Sequence, residues 1–244
     1  MSGVVYSVII PVKDEAPNLP RLIGEIQVAM NTCSNAWELL AIDDGSTDAS
    51  YDLLKALSLQ CPQLRILRFV KNCGQSAAFK AGFERARGDY IITLDADLQN
   101  DPRDIPKLVA LKERADLICG YRQRRLDGWF KRWISRFANF ARGAICRDGS
   151  RDTGCSLKVV RAVRARKLWM FRGAHRFIPA LIKLQGGTML EIGVRHRARS
   201  AGKSKYHLFN RCLAPVIDLF GVAWLMRRRV EYTLIEEKKD GDDS

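Results

Sequence analysis

Residues 90–99 read Tyr-Ile-Ile-Thr-Leu-Asp-Ala-Asp-Leu-Gln, a strand-forming run from Tyr90 to Leu94 that passes directly into two carboxylates, Asp95 and Asp97, spaced by one residue. At a strand end this spacing lets both carboxylates address one divalent cation. Such a cation prefers hard oxygen ligands and can bridge the two phosphates of a nucleotide diphosphate. An acidic pair at the start of a loop is common by itself, so the surrounding sequence decides its meaning.

Outward from this stretch, short β-rich runs alternate with helical patterns. Val4 to Ile10, Trp37 to Ile42, Leu64 to Phe69 and Leu117 to Cys119 are the other expected strands. Between the first two, Asn18 to Met30 places Leu19, Leu22, Ile23, Ile26 and Met30 at helical spacing, which predicts one buried stripe. Leu53, Leu54 and Leu57 repeat the pattern, a third helix is expected from Gln75 to Ala86, stopped by Gly88, and a fourth begins after Pro102. The alternation predicts an α/β domain with a mostly parallel, Rossmann-like sheet and helices on both faces. In such sheets ligands bind beyond the carboxyl ends of the strands, so the strand-to-helix loops are where chemistry belongs.

Those loops lack the usual dinucleotide and P-loop signatures, since neither GxGxxG nor GxxxxGK[ST] occurs. The first loop is instead Pro11-Val12-Lys13-Asp14-Glu15. The second, Ile42-Asp43-Asp44-Gly45-Ser46-Thr47-Asp48, is a polar acidic turn able to hydrogen-bond a base or ribose, and its Ser46, Thr47 and Asp48 suit a helix N-cap. Residues 121–172 are densely basic, carry aromatic residues and show no strand pattern; they read as helices and loops over the active face.

A chain of 244 residues, 47% hydrophobic, can bury one sizeable core. The seven cysteines form no CxxC pair and no ligand-like spacing with the three histidines, which argues against a zinc site or disulfide frame and suits a reducing, cytosolic setting. The N-terminus has no secretory pattern. Charge is asymmetric: residues 1–100 hold 9 Lys and Arg against 12 Asp and Glu, whereas 101–244 hold 32 against 15. The second half should attract a polyanion, be it nucleic acid, anionic lipid headgroups or a phosphorylated substrate. His207 to Met226 is mostly apolar but interrupted by Asn210, Arg211, Pro215 and Asp218, with Arg227-Arg228-Arg229 following. That suits a surface-lying amphipathic helix with cationic flanks better than a bilayer span. A charged, disordered tail is expected over 236–244.

Taken in order, Ile10 to Glu15, the Asp43 to Asp48 turn, Asn72-Cys73-Gly74-Gln75, Gly88-Asp89-Tyr90 and Asp95 to Gln99 resemble family 2 glycosyltransferases of GT-A fold. Downstream, Gly120-Tyr121-Arg122, Asp152-Thr153-Gly154-Cys155 and Gly202-Lys203-Ser204-Lys205-Tyr206 resemble their polyprenyl-phosphate branch, the dolichol-phosphate mannosyltransferases and undecaprenyl-phosphate sugar transferases. The resemblance covers about residues 5–210 and implies a catalytic domain over 1–206 followed by a membrane-associating segment over 207–235.

The resemblance implies roles residue by residue. Pro11, Lys13, Glu15, Asp43, Asp44, Gly74, Gln75, Asp95, Ala96 and Gln99 would line the nucleotide-sugar pocket, with Lys13 standing where many relatives have Tyr. Asp95, Asp97 and Gln99 would hold Mg²⁺ or Mn²⁺. Arg122, Lys131, Arg132, Arg199, Lys203 and Lys205 would gather the acceptor phosphate, and Asp97, Arg122, Arg132 and Lys205 would carry catalysis. The implied partners are a nucleotide diphosphate sugar, a polyprenyl phosphate, a membrane surface at the cytoplasmic face of the inner membrane, and an integral membrane partner as an alternative means of attachment, without nucleic acid. Many bacterial relatives continue into two transmembrane helices beyond this point, so peripheral attachment is expected. His175, in Gly173-Ala174-His175-Arg176-Phe177, reads as a structural hydrogen-bond partner, and Trp129, Trp133 and Phe137, four apart, as packing residues.

Overall fold

The computed structural model describes residues 3–33, 36–123, 149–198 and 213–228. β1 (Tyr6–Val12) and β2 (Trp37–Asp43) pair in parallel, with Ile9 beside Leu40 and Val12 beside Asp43. Both strands are buried on two faces, hence their nearly continuous apolar sequence. β3 (Leu64–Arg68) adds to β2, and β4 (Tyr90–Thr93) to the other side of β1.

The sheet continues through β5 (Leu117–Arg122), β6 (Lys158–Arg161) and β7 (Met189–Val194) to seven strands in the order β3-β2-β1-β4-β6-β5-β7. All neighbours are parallel except β6, which runs antiparallel between β4 and β5. This corrects the expectation for residues 121–172. They contain a central strand, hidden because it is four residues long, Lys-Val-Val-Arg, with a charge at each end. β5 also runs three residues beyond its expected end, so Gly120-Tyr121-Arg122 belongs to a strand terminus.

One face is covered by α1 (Leu19–Asn31), α2 (Ser50–Ser58) and α4 (Ile105–Val109), the other by α3 (Gln75–Arg85), α5 (Ala162–Arg166), α6 (Ile178–Leu184) and α7 (Leu213–Arg227). The α1 stripe is as expected: Leu19, Leu22, Ile23, Ile26 and Met30 are all buried. In α2, Leu54 is fully buried, with Leu53 and Leu57 packed beside it. Pro102 opens a single 3-10 turn before α4, capped by the Asp101 carboxylate, which accepts from Arg103 N at 3.0 Å.

α7 sets Val222 and Ala223 into the core and leaves Ile217, Phe220 and Trp224 about three-fifths exposed. Among the described residues no helix is long and apolar enough to cross a membrane.

Candidate active site

The loops beyond the carboxyl ends of β1, β2, β3 and β4, and the segment that leads into the antiparallel β6, are laced together by hydrogen bonds. After β1, Asp14 N donates to Ser46 Oγ (3.0 Å), Glu15 N to Ser50 Oγ (2.9 Å) and Ala16 N to Asp48 Oδ2 (3.3 Å). Asp14 Oδ1 in return accepts from Thr47 N at 2.7 Å. Asp14 adopts a left-handed φ of 51° to do so. The N-cap position of α2 is Ala49; Ser46 and Thr47 face the neighbouring loop, while Asp48 serves both, its Oδ2 accepting from Ala16 N and its Oδ1 from Ser50 N (2.9 Å) at the start of α2. The capping expectation is thus corrected for Ser46 and Thr47, whose hydroxyls go to the loop after β1, and holds for the Asp48 carboxylate, which bonds the first N–H of α2.

Lys13 Nζ donates to the Gly45 carbonyl (2.6 Å) and lies 3.5 Å from Asp14. Gly45, at φ +64°, runs so close to Lys71 that a Cβ would sit 2.6 Å from its carbonyl carbon. Asp43 is fully buried; its Oδ1 accepts from Ser46 N (2.9 Å), and Arg68 Nε lies 3.2 Å from its Oδ2. Asp44 turns its carboxylate onto Cys73 N (2.6 Å) and Gly74 N (2.9 Å), fixing the entry to α3. Gly74 meets that demand at φ +92°, a conformation that strains any other residue. Pro11 lies within β1 opposite Ile42, and Glu15 accepts from Asn18 Nδ2 at 2.6 Å.

At the centre, β4 ends at Thr93, two residues before Asp95. Gln75 Nε2, in the first turn of α3, donates to Asp95 Oδ1 at 2.6 Å, and Asp95 N donates to Ser156 Oγ at 3.0 Å. Asn100 Nδ2 joins the same serine hydroxyl at 2.8 Å. Asp97 Oδ1 accepts from Gln99 N (3.1 Å), and Leu98 between them takes a left-handed φ of 62° with its side chain buried. This strained turn brings both carboxylates back toward the sheet end. Ala96 is buried beneath it. Burial, then the charge of Asp97, pushes the Asp95 carboxyl up to about 6 against the pull of Ser156, Lys158 and Gln75. A cation at this pair would offset both the burial and the neighbouring charge that disfavour the ionised Asp95.

Gln99 O accepts from Arg197 N at 2.8 Å, which lays the segment after β7 along the acidic turn. Arg197 reaches Asp101 (2.7 Å) and Glu25 (2.6 Å), and Arg195 pairs with Asp104 (3.0 Å). At the end of β5, Arg122 is clamped by Asp152 in two parallel contacts, Nε to Oδ2 at 2.6 Å and Nη2 to Oδ1 at 2.8 Å. His175 Nδ1 lies 2.8 Å from Ser76 Oγ, which also receives Gly173 N (3.1 Å) and His175 N (3.3 Å). With two N–H groups donated to it, the hydroxyl donates its proton to Nδ1. Burial, then Arg176 and Lys158, holds this ring down at about 3 and therefore neutral.

Residues 7–173 match the family described as glycosyl transferase family 2. The chain belongs to that family. As a family 2 glycosyltransferase it is 39% identical over 233 residues to the dodecaprenyl-phosphate galacturonate synthase of Rhizobium johnstonii, covering 93% of this chain and 69% of that protein. It is 39% identical over 221 residues to the undecaprenyl-phosphate 4-deoxy-4-formamido-L-arabinose transferase of Pseudomonas paraeruginosa, covering 88% and 64%. The chain thus spans about two thirds of the length of these relatives.

Its fold is also that of glucosyl-3-phosphoglycerate synthase from Mycobacterium tuberculosis, solved with Mn²⁺, UDP-glucose and phosphoglyceric acid: TM-score 0.70, 16% identity, 94% of this chain and 82% of that one. A mannosyltransferase from Pyrobaculum calidifontis, solved with GDP-mannose and Mn²⁺, superposes with TM-score 0.62 at 16% identity, over 82% and 58%.

The structure thus gathers Gly74, Gln75, Asp95, Ala96, Asp97 and Gln99 around one strand end, with Pro11, Lys13, Glu15, Asp43 and Asp44 along the adjoining rim. Arg122 stands at the end of β5. Lys131, Arg132, Arg199, Lys203 and Lys205 lie outside the described residues, as do Trp129, Trp133, Phe137 and the disordered tail expected over 236–244. The sequence reading missed Ser156, Asn100 and Lys158. A signal for the last existed: one lysine inside the apolar run Leu157 to Val160, where a strand would bury it.

Proposed function

We propose that this family 2 glycosyltransferase moves a sugar from a nucleotide diphosphate onto a polyprenyl phosphate, with inversion, at the cytoplasmic face of a membrane. The observation that carries the reading is the half-buried Asp95–Asp97 pair just beyond β4, tied into the rim by Gln75 and Ser156, with the Asp95 carboxyl pushed up to about 6. Mg²⁺ or Mn²⁺ fits this pair. Among the described residues no group of three or more His, Cys, Asp or Glu could hold a metal, and such ions are commonly held by one or two carboxylates plus substrate phosphates. Bound there, the ion supplies charge neutralisation on the departing diphosphate. Asp95 and Asp97 orient it, Gln75 fixes Asp95, and the Asp43–Asp44 rim positions the nucleoside. The acceptor class is supported by the two relatives, both named for polyprenyl-phosphate products. A phosphate monoester has a second pKa near ~6, so at neutral pH the acceptor is already an anion and needs little help from a base. Positioning and electrostatics then dominate.

The test is incubation with undecaprenyl phosphate and a panel of nucleotide sugars, with Mg²⁺, Mn²⁺ or excess chelator. The expected product is a carrier-linked sugar formed only with metal; transfer to soluble glycans without lipid, or full activity in chelator, defeats the reading.

Membrane contact is assigned to α7. Ile217, Phe220 and Trp224 recur at helical spacing on its exposed side, and Arg227 and Arg228 follow, Arg228 stacking on Trp224 at 5.7 Å. Apolar insertion plus attraction to anionic headgroups gives the two signals that stable attachment needs. The double variant Phe220→Glu, Trp224→Glu should reduce co-sedimentation with anionic liposomes at least about tenfold without lowering the melting temperature, since neither side chain is in the core. Unchanged sedimentation would place the contact elsewhere.

A further inference from the structure

Lys158 lies on β6, opposite Thr93 of β4 and Cys119 of β5, and is only 3% exposed. Side chains alternate along a strand, so it shares the face of Val160, the one covered by α3 and α6. Its ammonium donates to the Cys155 carbonyl, which carries the side chain toward the end of the sheet where Ser156 holds Asp95. Among the described residues it forms no ion pair. The groups that feel its charge are Asp95, Cys155 and His175. His175 is neutral and hydrogen-bonded to Ser76, one residue from the Gln75 that grips Asp95.

A buried ammonium with a single carbonyl partner is costly, and such a charge persists where an anion completes it. Asp95 is committed to Gln75, and, in the reading above, to the cation. A negatively charged ligand bridging to that cation would bring oxygens to the side of Asp95 where Lys158 sits. We infer that Lys158 binds a phosphate oxygen of the nucleotide diphosphate, so that the diphosphate lies between a cation on the acidic pair and this lysine. The inference rests on the metal–diphosphate reading above and adds a residue to it: the acidic pair alone would leave one flank of the leaving group without positive charge.

The test uses the full chain and Lys158→Met and Lys158→Gln, titrated calorimetrically with Mn²⁺ alone and with inorganic pyrophosphate in the presence of Mn²⁺. The glutamine can keep the hydrogen bond to Cys155 O without the charge, so one folded variant is secured even if the methionine packs poorly. Both should bind Mn²⁺ at least as well as the parent chain, because a cation next to Asp95 has been removed. Both should bind Mn²⁺–pyrophosphate about 10- to 100-fold more weakly, as expected for one lost charge-assisted contact. Pyrophosphate affinity equal to that of the parent, or a loss already complete with Mn²⁺ alone, overturns the inference, the latter by showing that Lys158 acts only through Asp95. If the parent chain itself binds no Mn²⁺–pyrophosphate, the metal–diphosphate reading falls first and this one with it.

Discussion

Asp97→Ala is expected to lower kcat/KM for sugar transfer at least about 10³-fold while leaving the cooperative unfolding transition in place. Asp97 is partly exposed, and among the described residues its carboxylate carries one hydrogen bond, from Gln99 N, so truncation costs the structure little. Asp95→Asn should be as inactive, and it separates catalysis from stability. The folded Asp95 carboxyl sits at about 6, above its ordinary value near 3.8, so the native state binds this proton more tightly than the unfolded chain does. The stability this group contributes is therefore fully present below about pH 4 and lost as pH rises toward 6; above that the ionised carboxylate is a net penalty. The neutral amide removes the penalty, so metal-free Asp95→Asn should melt several degrees above the parent at pH 7.5, a gain on the order of 2 kcal/mol. At pH 4 the two should melt together. A metal-free Asp95→Asn less stable than the parent at pH 7.5, or either variant with near-normal transfer, would show that the pair is an ordinary acidic turn.

What was legible in the sequence was whatever local pattern and strand-end chemistry dictate together. The α1 stripe could be read because its five apolar residues meet one sheet face and no other. The acidic pair stood out because a central strand ends where it begins. β6 was not legible: its four residues owe their conformation to two neighbours, β4 and β5, contributed by distant parts of the chain, and tertiary pairing overrides so short a propensity signal. The same cause hid Lys158, whose burial follows from that strand. The Asp43–Asp48 turn was placed correctly in sequence and misassigned in part: Asp48 does bond Ser50 N at the start of α2, but Ser46 and Thr47 find their partners in the loop after β1, 32 and 33 residues away. Local capping rules do not see such partners. Arg122 was singled out by motif, but nothing in its immediate sequence indicated that Asp152 would orient it.

That orientation carries the second large effect. Arg122 and Asp152 are mostly buried, their two parallel contacts are reinforced by Arg122 N donating to Asp152 Oδ2 at 3.2 Å, and a Cβ on Gly154 would stand 2.8 Å from Arg122 Nη2. The clamp is thus set by sterics and hydrogen bonding: Gly154 leaves room, and Asp152 fixes the plane of the guanidinium. If Arg122 receives the acceptor phosphate, as the family resemblance implies, the fork must be aimed before the lipid arrives. Asp152→Ala removes the two-pronged carboxylate partner from a mostly buried guanidinium and should cost a few kcal/mol of stability, up to about 3–5. Asp152→Asn is the more telling variant. It retains one acceptor and much of the shape, so the fold should survive with a smaller loss, while the guanidinium gains freedom to turn. We expect KM for the polyprenyl phosphate to rise at least about tenfold, with KM for the nucleotide sugar nearly unchanged. Arg122→Lys should resemble it, since an ammonium cannot make the paired contact. An Asp152→Asn protein that is destabilised yet keeps both KM values would reduce the pair to a structural brace and move the acceptor phosphate away from β5.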